Sequence, residues 1–422
     1  MRAALAAVDG GLLVGRFLDA HPDVLGAPGV LLRLLAVGKA AESMAAALGG
    51  GVRPQVRSGL VVAPRVGAGW RGPIVALEAA HPVPDARSVE AGRAALALAA
   101  GVGADETLVV ALSGGASALA AVPAPGLSID DKGQATAALL ARGAAIDQLN
   151  CVRKHLSALK GGWLAARCPG RVVTLALSDV VVPVENDPGV IGSGPTVADP
   201  TSFGDALRAI DALDARGAVP QAVVAHLERG AAGGIVETPK PDAPGLRRAH
   251  WWLVGDRRDA MAGAGLAAER LGYRVEVIEE PTLGEARVAG ERFAGRAERL
   301  ARRAPGPACV IASGETTVRV RGRGRGGRNQ ELAVGAAAAL AALGSPALVA
   351  SIGTDGVDGP TDAAGGVADT GTVARCANRA LGSPEAWLAD NDTYRLLEAL
   401  GDLLKTGPTG TNVGDLQVAL FA

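Results

Sequence analysis

The chain has 422 residues, 42 Lys and Arg against 43 Asp and Glu, a formal net charge of −1, and 49% hydrophobic but only 3% aromatic residues. That length exceeds what one hydrophobic core supports and calls for two domains, while the balanced charge leaves no electrostatic footprint for nucleic acid or a membrane surface. Four scattered cysteines, Cys151, Cys168, Cys309 and Cys376, form no metal knuckle and suit a reducing compartment, and the five histidines show no HExxH spacing.

The first twenty residues, MRAALAAVDGGLLVGRFLDA, carry Asp9, Arg16 and Asp19 inside an apolar stretch, a pattern that argues for an amphipathic helix rather than a signal peptide. Short apolar runs then alternate with segments of helical period, the pattern of a parallel α/β sheet. Strands are predicted at Leu32–Val37, Gly59–Ala63, Ile74–Glu78, Thr107–Leu112 and Val172–Leu177. Helices are predicted between them at Ala40–Leu48, Ser88–Ala100, Asp131–Ile146 and Asn150–Arg167, which gives a doubly wound half. From Gly230 to Pro244 the chain turns Gly/Pro-rich and loses its period, which predicts a linker between domains 1–235 and 245–422.

Beyond it the alternation resumes, with strands predicted at Trp251–Val254, Arg274–Ile278, Ala308–Ala312, Leu348–Ile352 and Leu416–Phe421. Helices are predicted at Arg258–Leu271, Glu285–Arg303 and Asn329–Leu343, and Glu315–Arg321 alternates as a half-buried strand does. The apolar run from Leu332 to Ala350 is broken by Gly344 and Pro346 short of a membrane-spanning length. The expectation is a cytoplasmic enzyme with no nucleic-acid or membrane partner.

Several strand ends run into Gly-rich or charged turns, where open α/β sheets place ligands. AVGKAA puts Lys39 at the start of a helix, suited to a phosphate or carboxylate, or simply solvated. LSGGASAL offers Ser113, Gly114, Gly115 and Ser117, whose N–H groups and hydroxyls suit phosphate oxygens; without GxSxG it is no nucleophile elbow. NCVRKHLSALKGG brings Asn150, Arg153, Lys154 and His155, an anion site or a solvated helix face. Asp179 follows a strand in ALSDV, placed to hold Mg²⁺, to take a proton from an attacking hydroxyl, or only to cap a helix. Glu315, Arg325 and Arg328 follow, then Asp355, Asp358 and Asp362 in a Gly-rich loop, then Thr409, Thr411, Asn412 and Asp415.

Basic and acidic loops of this kind are what phosphoryl transfer requires, since catalysis there is positioning plus charge neutralisation. No Walker A sequence is present, so a kinase reading excludes the P-loop class. The rival reading is an oxidoreductase: Gly322, Gly324 and Gly327 form a GxGxxG after a predicted strand and before a predicted helix, with Asp355 after the next strand. A second GxGxxG, Gly67 to Gly72, runs into Pro73 and a strand instead.

Taken together, AVGKAAESMA, EAAHPVPDARSVEAG, LSGGASAL, NCVRKHLSALKGG, LSDV, IGSGPTVADPT, SGETTV, GRGGRNQELA, GTDGVDGPTDAAG, NDTYRLL and TGPTGTNVGDL resemble, in order and over nearly the whole chain, the glycerate 2-kinases with a MOFRL-type C-terminal domain. The resemblance implies transfer of the ATP γ-phosphoryl group to the 2-hydroxyl of D-glycerate with Mg²⁺. It also implies a Rossmann-like N-terminal domain, a smaller α/β C-terminal domain and an active site in a cleft between them.

On matching positions it implies Lys39 and Arg328 as basic residues at the substrate or the transferring group, with Asp179 as their acidic partner. Ser113, Gly114, Gly115 and Ser117 would cradle phosphates. From the chemistry, Arg325, Thr409 and Asn412 join them at the nucleotide, Asn150, Arg153, Lys154 and Glu315 at the substrate, and Asp355 and Asp358 at magnesium. Two departures stand out: Ser313 replaces a second Gly before Glu315, and VVPVEN lengthens the turn after Asp179. Members of this family also carry the label hydroxypyruvate reductase, which is the oxidoreductase rival; a non-catalytic small-ligand or nucleotide sensor is the other alternative.

Overall fold

The computed structural model describes residues 1–49, 56–70 and 72–422. They form two compact units, one of Gly10–Val180 with Val184–Val254, the other of Met1–Asp9 with Val181–Pro183 and Gly255–Ala422. Among the described residues no helix is long and apolar enough to cross a membrane.

The first unit is built on strands β1 (Leu32–Val37), β2 (Val56–Ala63), β3 (Ile74–Glu78), β4 (Thr107–Leu112), β5 (Arg171–Leu177) and β6 (Ala249–Gly255), in the order β3-β2-β1-β4-β5-β6. β1 through β5 are parallel. A parallel sheet with helices on its faces is buried on both sides, which is why β4 is an unbroken run, TLVVAL, with every residue buried. The helix Ala86–Ala100 begins at Asp85, whose carboxylate accepts from Arg87 N and Ser88 N while Ser88 Oγ accepts from Asp85 N, satisfying donors that open every helix.

The predicted helix Asn150–Arg167 is broken. One helix runs Ile146–His155, a short one Trp163–Ala166, and Gly161 and Gly162 between them have φ of +58° and +88°. Their N–H groups go to Ser193 O and Gly194 O, so the break is set by a segment remote in sequence. Likewise Asp131–Ile146 becomes Ile129–Ala141, capped by Ser128 and ending before Gly143 at φ +75°.

The second unit carries β7 (Arg274–Val277), β8 (Ala308–Gly314), β9 (Ala347–Gly353), β10 (Gly365–Asp369), β11 (Leu403–Leu404) and β12 (Asp415–Phe421), in the order β11-β10-β9-β12-β8-β7. Here the parallel pattern gives way to a mixed sheet. β7 and β8 are parallel, but β12 lies antiparallel between β8 and β9, and β10 runs antiparallel to β9. The loop 354–364 joining β9 to β10 contains no crossover helix, and a parallel partner requires one. Glu315–Arg321 is not a strand: its one bridge is Thr317 with Glu285. Met1–Asp9 contributes a helix, Arg2–Ala7, beside the helix Arg257–Arg270, and Thr411 Oγ1 donates to Val8 O at 2.6 Å.

Candidate functional site

In the first unit, Val37, Leu112 and Ala176 stand in register across β1, β4 and β5. The three strands therefore hand over together to Gly38–Lys39, Ser113–Gly115 and Ser178–Asp179. Strand order reverses between β1 and β4, the switch point at which open α/β sheets hold ligands. Two of these loops are fastened together. Lys39 N donates to Gly114 O at 2.9 Å and Ala40 N to Ser113 Oγ at 3.0 Å. Gly38 has φ +134°, and a Cβ there would lie 2.1 Å from Ser113 Oγ. Ser113 is buried, and its hydroxyl ties the two loops together.

A hydrogen-bonded chain continues behind this loop. Lys160 Nζ donates to Ser117 O at 2.6 Å and Ser117 Oγ at 2.8 Å, Ser117 Oγ lies 2.9 Å from Ser193 Oγ, and Ser193 Oγ donates to Asn150 Oδ1 at 3.0 Å. Lys160 joins this chain of bonds although the reading of its segment singles out only Asn150, Arg153, Lys154 and His155. The segment holding it was singled out, but only the Gly161–Gly162 break turns its side chain inward. The adjacent Arg153 and Lys154 part company: Arg153 lines a pocket of about 570 Å³ with Gly115, Ser117 and Lys160, whereas Lys154 Nζ pairs with buried Asp199 at 3.4 Å. Asp179 is half-buried where β5 ends.

In the second unit, Asp415 opens β12 opposite both Gly314 and Gly353. Arg328, the first residue of the helix Arg328–Ala341, grips it with two bonds, Nε to Oδ2 at 2.6 Å and Nη2 to Oδ1 at 2.9 Å, and Nη1 lies 2.8 Å from Glu315 Oε1. Burial acts to lower the guanidinium's pKa, but the two carboxylates outweigh it and hold Arg328 charged, above its ordinary value. Asp355 Oδ1 accepts from Val357 N at 3.0 Å and its carbonyl from Thr409 N at 3.2 Å. Thr409 Oγ1 donates to Thr354 O at 2.5 Å, and Asn412 Oδ1 accepts from Gly414 N at 3.3 Å. Arg325 lies 4.4 Å over the Tyr394 ring with Nε on Pro360 O.

Asp358 is committed elsewhere. Its Oδ1 accepts from Asn329 N at 3.0 Å and its Oδ2 from Gln330 N at 2.9 Å, so it closes the N-terminus of the helix Arg328–Ala341. Burial pushes its pKa up to about 6, against the lowering effect of those two N–H groups.

The same helix start decides the fate of the Gly322–Gly327 fingerprint. A dinucleotide loop needs free N–H groups and an open helix end for the pyrophosphate. Here Arg321 N and Gly322 N donate to Asn391 Oδ1, Arg323 N to Asp390 Oδ1 and Arg325 N to Asp392 Oδ1. A Cβ on Gly327 would meet Asp358 Cγ at 2.2 Å, and one on Gly324 would meet Asp392 Cβ at 2.3 Å. The glycines are small because the chain presses on itself, and carboxylates occupy the place of a pyrophosphate. The other glycine run includes Arg71, which lies outside the described residues; its Gly67 N donates to Glu42 Oε1 at 2.9 Å.

Residues 1–228 match the domain of unknown function DUF4147, and residues 308–415 match the MOFRL family. A D-glycerate 2-kinase of Thermotoga maritima is 39% identical over 92% of this chain and 90% of its own. A relative from Agrobacterium vitis, whose name proposes a hydroxypyruvate reductase, is 39% identical over 92% of this chain and 86% of its own. The crystal structure of a glycerate kinase from Thermotoga maritima superposes with a TM-score of 0.83 at 36% identity, covering 100% of this chain and 97% of that one. The chain belongs to the glycerate 2-kinase family, with a DUF4147 region followed by a MOFRL region.

Proposed function

We propose that this protein is a cytoplasmic glycerate 2-kinase that transfers the γ-phosphoryl group of ATP to the 2-hydroxyl of D-glycerate, releasing ADP and 2-phosphoglycerate. The observation that carries the reading is the likeness to a D-glycerate 2-kinase along 92% of the chain. The geometry favours it over the reductase reading, because the loop that would hold a dinucleotide is filled by Asp358, Asp390 and Asn391.

In the reaction the hydroxyl proton leaves as the oxygen bonds to the γ-phosphorus and the bond from that phosphorus to the β,γ-bridging oxygen breaks. Asp179 is assigned the proton and Lys39 the negative charge of the transferred group, both from the carboxyl edge of the first sheet. The Gly114–Ser117 turn offers N–H groups to phosphate oxygens. Arg153 is assigned a ligand oxyanion directly, while Asn150 and Lys154 position the helix that carries it. In the second unit Arg328, kept charged by Asp415 and Glu315, supplies a permanent cation, and Arg325, Thr409 and Asn412 are assigned to the nucleotide.

For magnesium, no group of three or more His, Cys, Asp or Glu side chains among the described residues is arranged to hold a metal ion. Mg²⁺ in phosphoryl-transfer sites needs only one or two carboxylates beside the phosphates. Asp358, fully engaged on its helix, does not fit. Asp355, half-buried at the end of β9, fits a single-carboxylate role, in which the ion would neutralise phosphate charge.

The test is incubation with D-glycerate, ATP and Mg²⁺, with ADP release followed and the product identified by ³¹P NMR. Hydroxypyruvate with NADH or NADPH runs in parallel. Appearance of 2-phosphoglycerate supports the assignment; oxidation of reduced cofactor without ADP overturns it.

A further inference from the structure

One pocket of the first unit gathers three cations from three separate stretches of chain. Lys132 comes from the helix Ile129–Ala141, Arg153 from the helix Ile146–His155, and Lys160 from the turn before Gly161, and all three line the cavity of about 570 Å³. That size falls in the ~300–1,000 Å³ range of small-molecule sites. Lys132 and Lys160 are only 6% and 2% exposed. Lys132 Nζ donates to Leu156 O at 3.0 Å, and among the described residues Lys160 Nζ reaches only Ser117. Arg153 has no hydrogen-bond or ion-pair partner among the described residues, and no carboxylate lines the pocket.

Elsewhere in this unit buried Lys154 is paired with Asp199 and half-buried Arg33 with Glu106. The exception has a consequence for binding. Desolvating a charge without a partner costs several kcal/mol, and three like charges facing one cavity repel one another as well. Burial, with Arg153 nearby, brings Lys132 down to about 7, and burial with Lys132 and Arg153 nearby holds Lys160 well below the ordinary lysine range. An anion in the cavity relieves both costs at once.

We propose that this pocket binds a phosphate-bearing polyanion, with Arg153 forking onto its oxygens and Lys132 and Lys160 neutralising the remaining charge. A planar guanidinium matches phosphate geometry, and ammonium groups serve phosphate as point charges. The single carboxylate of a hydroxy-acid would leave two of the three cations unmatched. Val83 and Leu140 on the cavity wall suit the uncharged remainder of the ligand. Naming the ligand rests on the kinase reading: ATP and 2-phosphoglycerate are the two molecules of this class that the reaction supplies.

The experiment measures binding of ATP, 2-phosphoglycerate and D-glycerate to the wild type, Lys132→Gln and Arg153→Gln, with thermal melts to verify folding. Either substitution should weaken at least one of the two phosphate compounds by tenfold or more, and whichever responds identifies the source. In the wild type, the same compound should protect Lys132 from acetylation mapped by mass spectrometry, a readout that needs no variant. Unchanged affinities in folded variants, or equal acetylation with and without ligand, overturns the proposal. ADP release from the same preparations separates the two readings. Turnover with binding indifferent to the substitutions removes the pocket and leaves the kinase, whereas pocket-dependent binding without turnover does the reverse.

Discussion

The two sheet edges that carry the charged loops handle their charges in opposite ways. At the second sheet three charges are balanced within the chain: Arg328 by Asp415 and Glu315, Asp358 by two helix N–H groups, Asp362 by Tyr394 Oη and Lys405 Nζ. In the pocket beside the first sheet, Lys132 and Lys160 meet carbonyls and a hydroxyl, and Arg153 meets no hydrogen-bond or ion-pair partner among the described residues. A balanced network fixes loops in place. An unbalanced one stores unfavourable energy that a ligand of the right sign releases. Substitutions in the first-sheet pocket should therefore register in turnover and binding with little loss of stability, whereas removing a paired charge such as Arg328 at the second should register in stability as well as in turnover.

The sharpest contrast is between Asp179 and Arg328. Asp179→Asn should lower ADP release by at least ~10³-fold, about 4 kcal/mol in the barrier, with an unchanged melting temperature; normal turnover would reduce Asp179 to a structural group. Arg328→Ala strands fully buried Asp415 and should cost about 3–5 kcal/mol of stability, read by denaturant unfolding. An Arg328→Ala protein as stable as the wild type would break the comparison at its strongest point.

Next in size, Lys39→Ala should cut turnover about tenfold, or 1.4 kcal/mol, without shifting the melt. The smallest effect concerns Asp358, whose raised pKa has a definite sign. Its contribution to stability is fully present below the unfolded carboxyl value near 4 and is lost as pH rises through about 6. Melting temperatures should fall across that window, and Asp358→Asn should flatten the fall, by an amount on the order of 1–3 kcal/mol. A wild-type profile rising between pH 4 and 6 in step with Asp358 would show the two helix N–H groups outweighing burial and contradict the raised pKa.

Local pattern carried much of the first sheet. LRLLAV and TLVVAL are six-residue runs bounded by turn residues and buried but for half-buried Arg33, the length and flanks of a central parallel strand. Lys39, Ser113 and Asp179 were legible as strand-end residues for the same reason. Lys160 was not, because the turn that aims it depends on Ser193 and Gly194, over thirty residues away. β12 was legible as a strand but not as an antiparallel insertion between β8 and β9, since strand order is not written in local periodicity. The GxGxxG supported only a rival reading for a related reason: a glycine records that something presses close, and whether that is a pyrophosphate or Asp358 is known only after folding.

The helix Arg2–Ala7 packs on the helix Arg257–Arg270, and Val8 receives the hydroxyl of Thr411. Residues 1–9 thus belong to the unit that residues 255–422 complete. During synthesis the first nine residues leave the ribosome on the order of tens of seconds before Thr411 exists, so they wait unpartnered while the first sheet assembles. A fragment starting at Gly255 would likewise lack the cover for Gly263, which sits against Ala3, Ala4 and Ala7. Completion of the second unit therefore needs residues on both sides of the first in sequence, and supplying residues 1–9 as a separate peptide should rescue such a fragment if that need is the reason it fails.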